Sequence, residues 1–251
     1  MYSPLEQFIL LPVANFSTFN FSINNIIITF LVCLVLYTIF FLSIYTKSNK
    51  KNIFLIPNRT QMFFENLILN ISSLIRDNIN STTKQKFLPI VGTIFIFILT
   101  LNLFGIIPYT FTITSELIIT FCLSFSVFVG IQIIGLKMHK IQFFSLFFPS
   151  GVSVYLALLL VPIELISFIF KPVSLSVRLF ANMMAGHTLL KVIAGFIWLI
   201  MGSAGWFSLL HLFPLFLLVV LFGLEIGVAV IQTFVFTVLF CIYINDIFNL
   251  H

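Results

Sequence analysis

The sequence predicts an all-α polytopic membrane protein, and three observations carry that expectation. Of 251 residues, 61% are hydrophobic and only 8% charged, whereas soluble domains carry about 25% charged residues. Several apolar stretches reach the ~20 residues that a helix needs to cross a bilayer. These runs are long and continuous, unlike the short alternating segments of a membrane β-barrel. The net charge of +5 therefore bears on topology and does not point to a nucleic-acid partner.

The first span is expected at residues 25–45, where the apolar run stops at KSNKK with Lys47, Lys50 and Lys51. Residues 60–79, TQMFFENLILNISSLIRDNI, do not make a span. Their apolar positions Phe63, Phe64, Leu67, Ile68, Ile71, Leu74 and Ile75 recur at steps of three and four, and Glu65, Asn66, Asn70, Ser73, Arg76 and Asp77 take the other side. That pattern is an amphipathic helix, most simply one lying at the membrane surface; packing on a soluble partner is the alternative. Residues 89–107 and 117–136 form the next two spans, a hairpin joined by PYTFTITSE. Two long apolar regions follow, 151–200 and 213–247, the second apolar to about Tyr243, separated by the polar break GSAGW. Both exceed one perpendicular crossing, so each is tilted or lies partly on another protein surface. Pro162 and Pro172 permit bends in the first. With one break between them, the two run antiparallel.

No separate soluble domain and no internal repeat is evident, so residues 1–251 read as one membrane domain of about five spans. Lys47, Lys50, Lys51, Arg59, Arg76, Lys84, Lys86, Lys137, Lys140 and Lys171 fall on one side of that arrangement. The positive-inside rule puts that side and the C-terminus inside, and the N-terminus outside. MYSPLEQFILLPVANF has no basic leading region and is not expected to be a secretory signal. Cys33, Cys122 and Cys241 are scattered through apolar segments, with no CxxC and no metal spacing, and read as small buried hydrophobes.

Within the apolar region after residue 151 lies SVRLFANMMAGH, residues 176–187. A charge at bilayer depth costs about 2.5–3.5 kcal/mol on insertion scales, and such residues usually face protein or a water-filled path. Arg178 is the extreme case, because a guanidinium cannot shed its charge. Snorkelling to the interface is the alternative, although Lys171 already marks the inner boundary. At ~100° and ~1.5 Å per residue, Asn182 lies about 40° from Arg178, on the same face. Glu164 lies about 40° off that face and ~21 Å toward the inner side. His187 falls about 180° away and ~13.5 Å toward the outer side.

The last region supplies a neighbour. Glu225 and Gln232 share a face within about 20° and sit ~10.5 Å apart. In antiparallel register, Gln232 level with Arg178 puts Glu225 near the height of His187. Gly186, Gly223 and Gly227 would permit close helix approach there. A structural ion pair or hydrogen bond is the plain reading of Glu225. The other reading separates titratable groups, His187 and Glu225 on the outer half and Glu164 on the inner, by a fixed positive charge. That is two half-paths with a barrier between them, and it requires a carrier around the barrier.

SVRLFANMMAGH, with upstream PIELISFIFKPVSL and downstream GLEIGVAVIQTFVF, resembles subunit a of the F-type ATP synthase in its mitochondrial form. The resemblance extends to SPLEQF, QKFLPIVGTIF, NLFGIIPY and CIYINDIFNLH, so it covers essentially the whole chain. It implies a proton-translocating stator subunit of the Fo sector, in the mitochondrial inner membrane, with no cofactor. The implied carrier is a rotating ring of c subunits, each with a mid-membrane carboxylate. Arg178 would meet that carboxylate, supported by Asn182 and Gln232. His187 and Glu225 would line the intermembrane-space channel, and Glu164 would serve the matrix channel. The long pair 151–200 and 213–247 would wrap the ring. Further implied partners are the peripheral stalk, other Fo subunits and membrane lipids.

The chain has no P-loop and no Gly-rich strand-to-helix turn, so no nucleotide site of its own is expected. His187 with Glu225 offers only two ligands, a poor metal site. Rival classes are a redox membrane subunit, which needs paired axial histidines in facing helices, and a secondary transporter, which usually shows a repeat.

Overall fold

The computed structural model describes residues 8–10, 12–16, 21–48, 59–79, 84–107, 110–140, 143, 154–202 and 210–248. Strands β1 (Pro12–Phe16) and β2 (Phe21–Asn24) pair antiparallel, with Ala14 opposite Ile23 and Phe16 opposite Phe21. The register shifts between Pro12 and Ala14, next to a residue with no N–H to give to a ladder. This short hairpin is not expected from the sequence, and β2 runs directly into helix α1 (Asn25–Ser48). The other helices are α2 (Arg59–Asn78), α3 (Lys84–Ile106), α4 (Leu117–His139), α5 (Val154–Met201) and α6 (Leu212–Phe248). A 3-10 turn, Ile113–Ser115, stands between α3 and α4.

The fold is therefore all-α apart from the hairpin. Lys86–Ile106, Leu117–His139, Leu159–Met201 and Leu212–Phe248 are each long and apolar enough to cross a membrane. α1 adds 24 helical residues. α5 has 48 residues and α6 has 37, about 72 and 56 Å at 1.5 Å per residue, against a hydrocarbon core of ~30 Å. α5 runs unbroken through both Pro162 and Pro172. α3 begins at Lys84, so Pro89 lies within it. There it removes one bond, to the carbonyl of Gln85, close to a helix end that already lacks partners.

In lipid every backbone polar group needs an internal partner, which selects helices. The helices hide their hydroxyls in the same way. Thr38, Thr93, Thr100, Ser126, Thr188 and Thr237 each donate to the carbonyl three residues earlier, at 2.8–3.0 Å. A hydroxyl bonded to its own helix can face hydrocarbon without an unmet donor.

The chain forms two compact units. Unit one comprises Met1–Phe40, Phe97–Leu117 and Arg178–Thr233; unit two comprises Phe41–Ile96, Ile118–Val177 and Phe234–His251. The core of unit two gathers Ile71, Ile75 and Ile79 with Phe87, Val91, Ile131, Phe240, Cys241, Ile244 and Ile247. Ile71, Ile75 and Ile79 follow at steps of four, so one stripe of α2 and its C-terminal flank packs on the chain itself. Phe63 and Leu69 of α2 stay exposed at 62% and 60%. Gly135 of α4 is required there. A Cβ on it would lie 2.8 Å from Phe143 Cε2 and 2.9 Å from Ile247 Cγ2, inside van der Waals contact. Lys171 approaches Asp246 Oδ2 at 3.6 Å and lies 4.9 Å from the Tyr243 ring centroid.

Unit one holds the end of α3, the 3-10 turn, and the parts of α5 and α6 that carry most of the polar set. Ile106, Met183 and Ala229 form its small apolar core. The turn is buried and supplies bonds of its own: Thr112 Oγ1 donates to Ser115 Oγ at 2.5 Å, and Ser115 Oγ donates to the Thr112 carbonyl at 2.6 Å. Burial pushes the Glu116 carboxyl, which follows the turn, above the usual carboxylate range.

Candidate functional site

The polar residues of unit one lie on facing stretches of α5 and α6. His187 and Glu225 are 8% and 5% exposed, and His187 Nδ1 is 3.5 Å from Glu225 Oε1. Gly186 makes this possible. A Cβ there would lie 2.8 Å from Glu225 Oε1 and 3.2 Å from Cδ, so the carboxyl rests on the bare backbone of α5. Gly223 and Gly227 have open space around them instead. At ~100° per residue they stand about 160° from Glu225, on the opposite side of α6, and contribute nothing to the approach.

A second rung lies farther along both helices. Asn182 Nδ2 donates to Gln232 Oε1 at 2.8 Å, and Gln232 is 4% exposed. Gln232 thus uses its carbonyl on Asn182 and not on Arg178. Among the described residues, His187 Nε2, both Glu225 carboxyl oxygens and Gln232 Nε2 are buried with no hydrogen-bond partner. Buried polar atoms are costly unless they are bonded. The set therefore suits a polar occupant, able to donate to the carboxylate oxygens and to accept from Gln232.

Arg178 is exposed, beside an exposed Val177 on the same helix. Among the described residues it forms no hydrogen bond or ion pair. Glu164 belongs to unit two, where it is half-buried on α5. The structure thus joins Asn182 to Gln232 and His187 to Glu225, and gives Arg178 no place in either pair. Among the described residues no three of His, Cys, Asp and Glu come together as a metal site would require.

Three polar residues are not singled out by sequence alone. Asn102 of α3 is fully buried and donates to Thr233 Oγ1 at 3.2 Å. Asp246 of α6 pairs with Lys171. Lys191, a second cation on the apolar helix α5, is half-buried. The one available signal is a polar residue inside an apolar run, as in LTLNLFGI.

The sequence profile of a family described as ATP synthase A chain matches residues 26–245, most of the chain. The chain belongs to the ATP synthase A chain family. Full-length similarity agrees with that membership. The chain is 49% identical over 251 residues to ATP synthase subunit a of Pylaiella littoralis, covering 99% of each. It is 43% identical to ATP synthase subunit a of Chondrus crispus, covering 99% of this chain and 97% of the relative. It is also 43% identical to ATP synthase subunit a of Marchantia polymorpha, covering 99% of both. Membership in the subunit a family assigns the chain to the Fo sector of a multi-subunit complex, as a multi-pass membrane component.

Proposed function

We propose that this chain is the proton-conducting stator subunit of the mitochondrial ATP synthase, and that it passes protons through two offset half-channels to and from the carboxylates of a c-subunit ring. The observation that carries the proposal is Arg178, an exposed guanidinium with no partner among the described residues, on a helix whose other exposed side chains carry no charge, among them Phe170 and Val177. A charge that cannot be neutralised is not left facing hydrocarbon, so it calls for a carboxylate on another chain.

Arg178 lowers the affinity of the approaching ring carboxylate for its proton, so the proton leaves before the site passes. It also repels protons in the path and so keeps the half-channels from joining. His187 and Glu225 line the path from the intermembrane space, and Glu164 serves the matrix side. Asn182 and Gln232 hold the polar layer between α5 and α6, next to the ring contact. A charge crossing 100 mV exchanges about 2.3 kcal/mol, and several protons drive one turn. Nucleotide chemistry belongs to the soluble head, and this chain needs no cofactor. Its other partners are the peripheral stalk, other Fo subunits and lipid. Its N-terminus faces the intermembrane space and its C-terminus the matrix.

Arg178→Ala tests the reading. The variant is expected to assemble at near wild-type amount and to lose proton-driven ATP synthesis in inner-membrane vesicles, by at least 100-fold. Synthesis at the wild-type rate in the assembled variant removes the barrier role.

A further inference from the structure

We propose that Asn102 is a positioning residue for the proton path: it pins Thr233, and the pin sets the roll of α6 that aims Glu225 and Gln232. The inference rests on the proton-path reading of those two residues.

The bonds form a directed chain. Thr233 Oγ1 donates to the Ala229 carbonyl at 2.9 Å, one turn back on α6. Its hydrogen is thereby used, and toward α3 the oxygen can only accept. Asn102 Nδ2 meets it at 3.2 Å and reaches the Ala229 carbonyl at 3.5 Å. Turning the Asn102 amide over would set its oxygen against the Ala229 oxygen, so only one orientation is compatible with the rung. Asn102, Thr233 and Ala229 are each 0% exposed, where a hydrogen bond is stronger and a missing one more costly than in water.

The geometry links this rung to the site. Thr233 follows Gln232 directly, so at ~100° per residue one faces α3 while the other faces α5. Glu225 lies two turns back on the same buried stripe, within about 20° of Gln232. On a helix of ~5–6 Å outer radius, a roll of about 10° moves a side-chain tip by about 1 Å. Displacements of that size cost on the order of 100-fold in reactions that depend on position. Asn182 alone does not fix the roll, since a single long amide pair swivels. Two rungs on adjacent residues, pulling in different directions, do fix it.

The test uses the assembled synthase in inner-membrane vesicles, with proton-driven ATP synthesis followed across pH. Thr233→Val keeps volume and removes the hydroxyl. Asn102→Leu keeps approximate size and removes the donor. Thr233→Ser keeps the acceptor. Thr233→Val and Asn102→Leu are each expected to assemble, to synthesise about tenfold more slowly and to shift the pH at half-maximal rate. The double variant is expected to be no slower than the worse single one, and Thr233→Ser to stay within about twofold of wild type.

Wild-type rates in both single variants, additive losses in the double, or an unshifted pH profile would overturn the proposal. So would failure of Thr233→Val to assemble, which would make the rung a folding element only. Glu225→Gln, run in parallel, separates the two readings. If it leaves proton flux unchanged, the proton-path reading fails; if it slows flux while the rung variants do not, the positioning role alone fails.

Discussion

At the scale of one residue, Gly186 shows how a missing side chain shapes the site. Its position two thirds of the way along α5 has no turn to explain it. What explains it is the Glu225 carboxyl lying where a methyl group would be, 2.8 Å from the built Cβ. The nearest atom belongs to the free end of a side chain, so the backbone need not shift when Ala replaces Gly. The carboxyl swings aside instead. Gly186→Ala is therefore expected to assemble normally and to slow proton-driven synthesis about tenfold, read as rate per assembled complex. A wild-type rate would mean that the resting place of Glu225 is unimportant. The spacings 178–182–187 and 225–232 are legible in the sequence because the helix period is fixed, and antiparallel connection then sets which residues meet. Asn102 is not legible. A lone amide in an apolar run has no period, and its partner stands 131 positions away.

At the scale of an element, α2 illustrates what periodicity reveals and what it leaves open. Its three- and four-residue steps define an amphipathic helix but do not select the neighbour. The structure buries Ile71, Ile75 and Ile79 in one core with Phe87, Ile131 and Ile244 of unit two, and leaves Leu69 60% exposed. Ile75 is 2% exposed, and deleting most of such a buried side chain costs roughly 2–5 kcal/mol. Ile75→Ala is expected to lower the thermal stability of the purified complex measurably, with Leu69→Ala as the near-neutral comparison. Equal shifts in the two would mean that the stripe does not anchor the helix. The spans are legible because crossing hydrocarbon demands length and apolarity together. The start of α3 is not, because Pro89 looks like a boundary and yet sits where one lost bond is tolerated. The β1–β2 pair escapes the sequence because strands of five and four residues show no useful alternation.

At the scale of the molecule, the basic residues sort the loops. Lys137 is exposed at the end of α4 and belongs to the side that the positive-inside rule assigns to the inside, which the proposed function makes the matrix. In a background with Cys33, Cys122 and Cys241 replaced by Ser, Lys137→Cys is expected to react with a membrane-impermeant thiol reagent in inverted inner-membrane vesicles, and to be protected in right-side-out ones. The opposite pattern would reverse the assigned orientation. The family match over residues 26–245 and the apolar lengths of the helices are independent grounds for one architecture, since the first compares residue identities and the second needs only composition.

The hydroxyls that fold back on their own helices carry a mechanical consequence. A Thr or Ser bonded to the preceding turn has spent its one hydrogen, so toward a neighbouring helix it can accept but not donate, as Thr233 does for Asn102. Polar attachment between helices in unit one is therefore made by side chains that still have hydrogens to give, Asn102 and Asn182, which reach across to α6. A layer built this way hangs on two amides, and losing either leaves α6 with one such handhold in place of two.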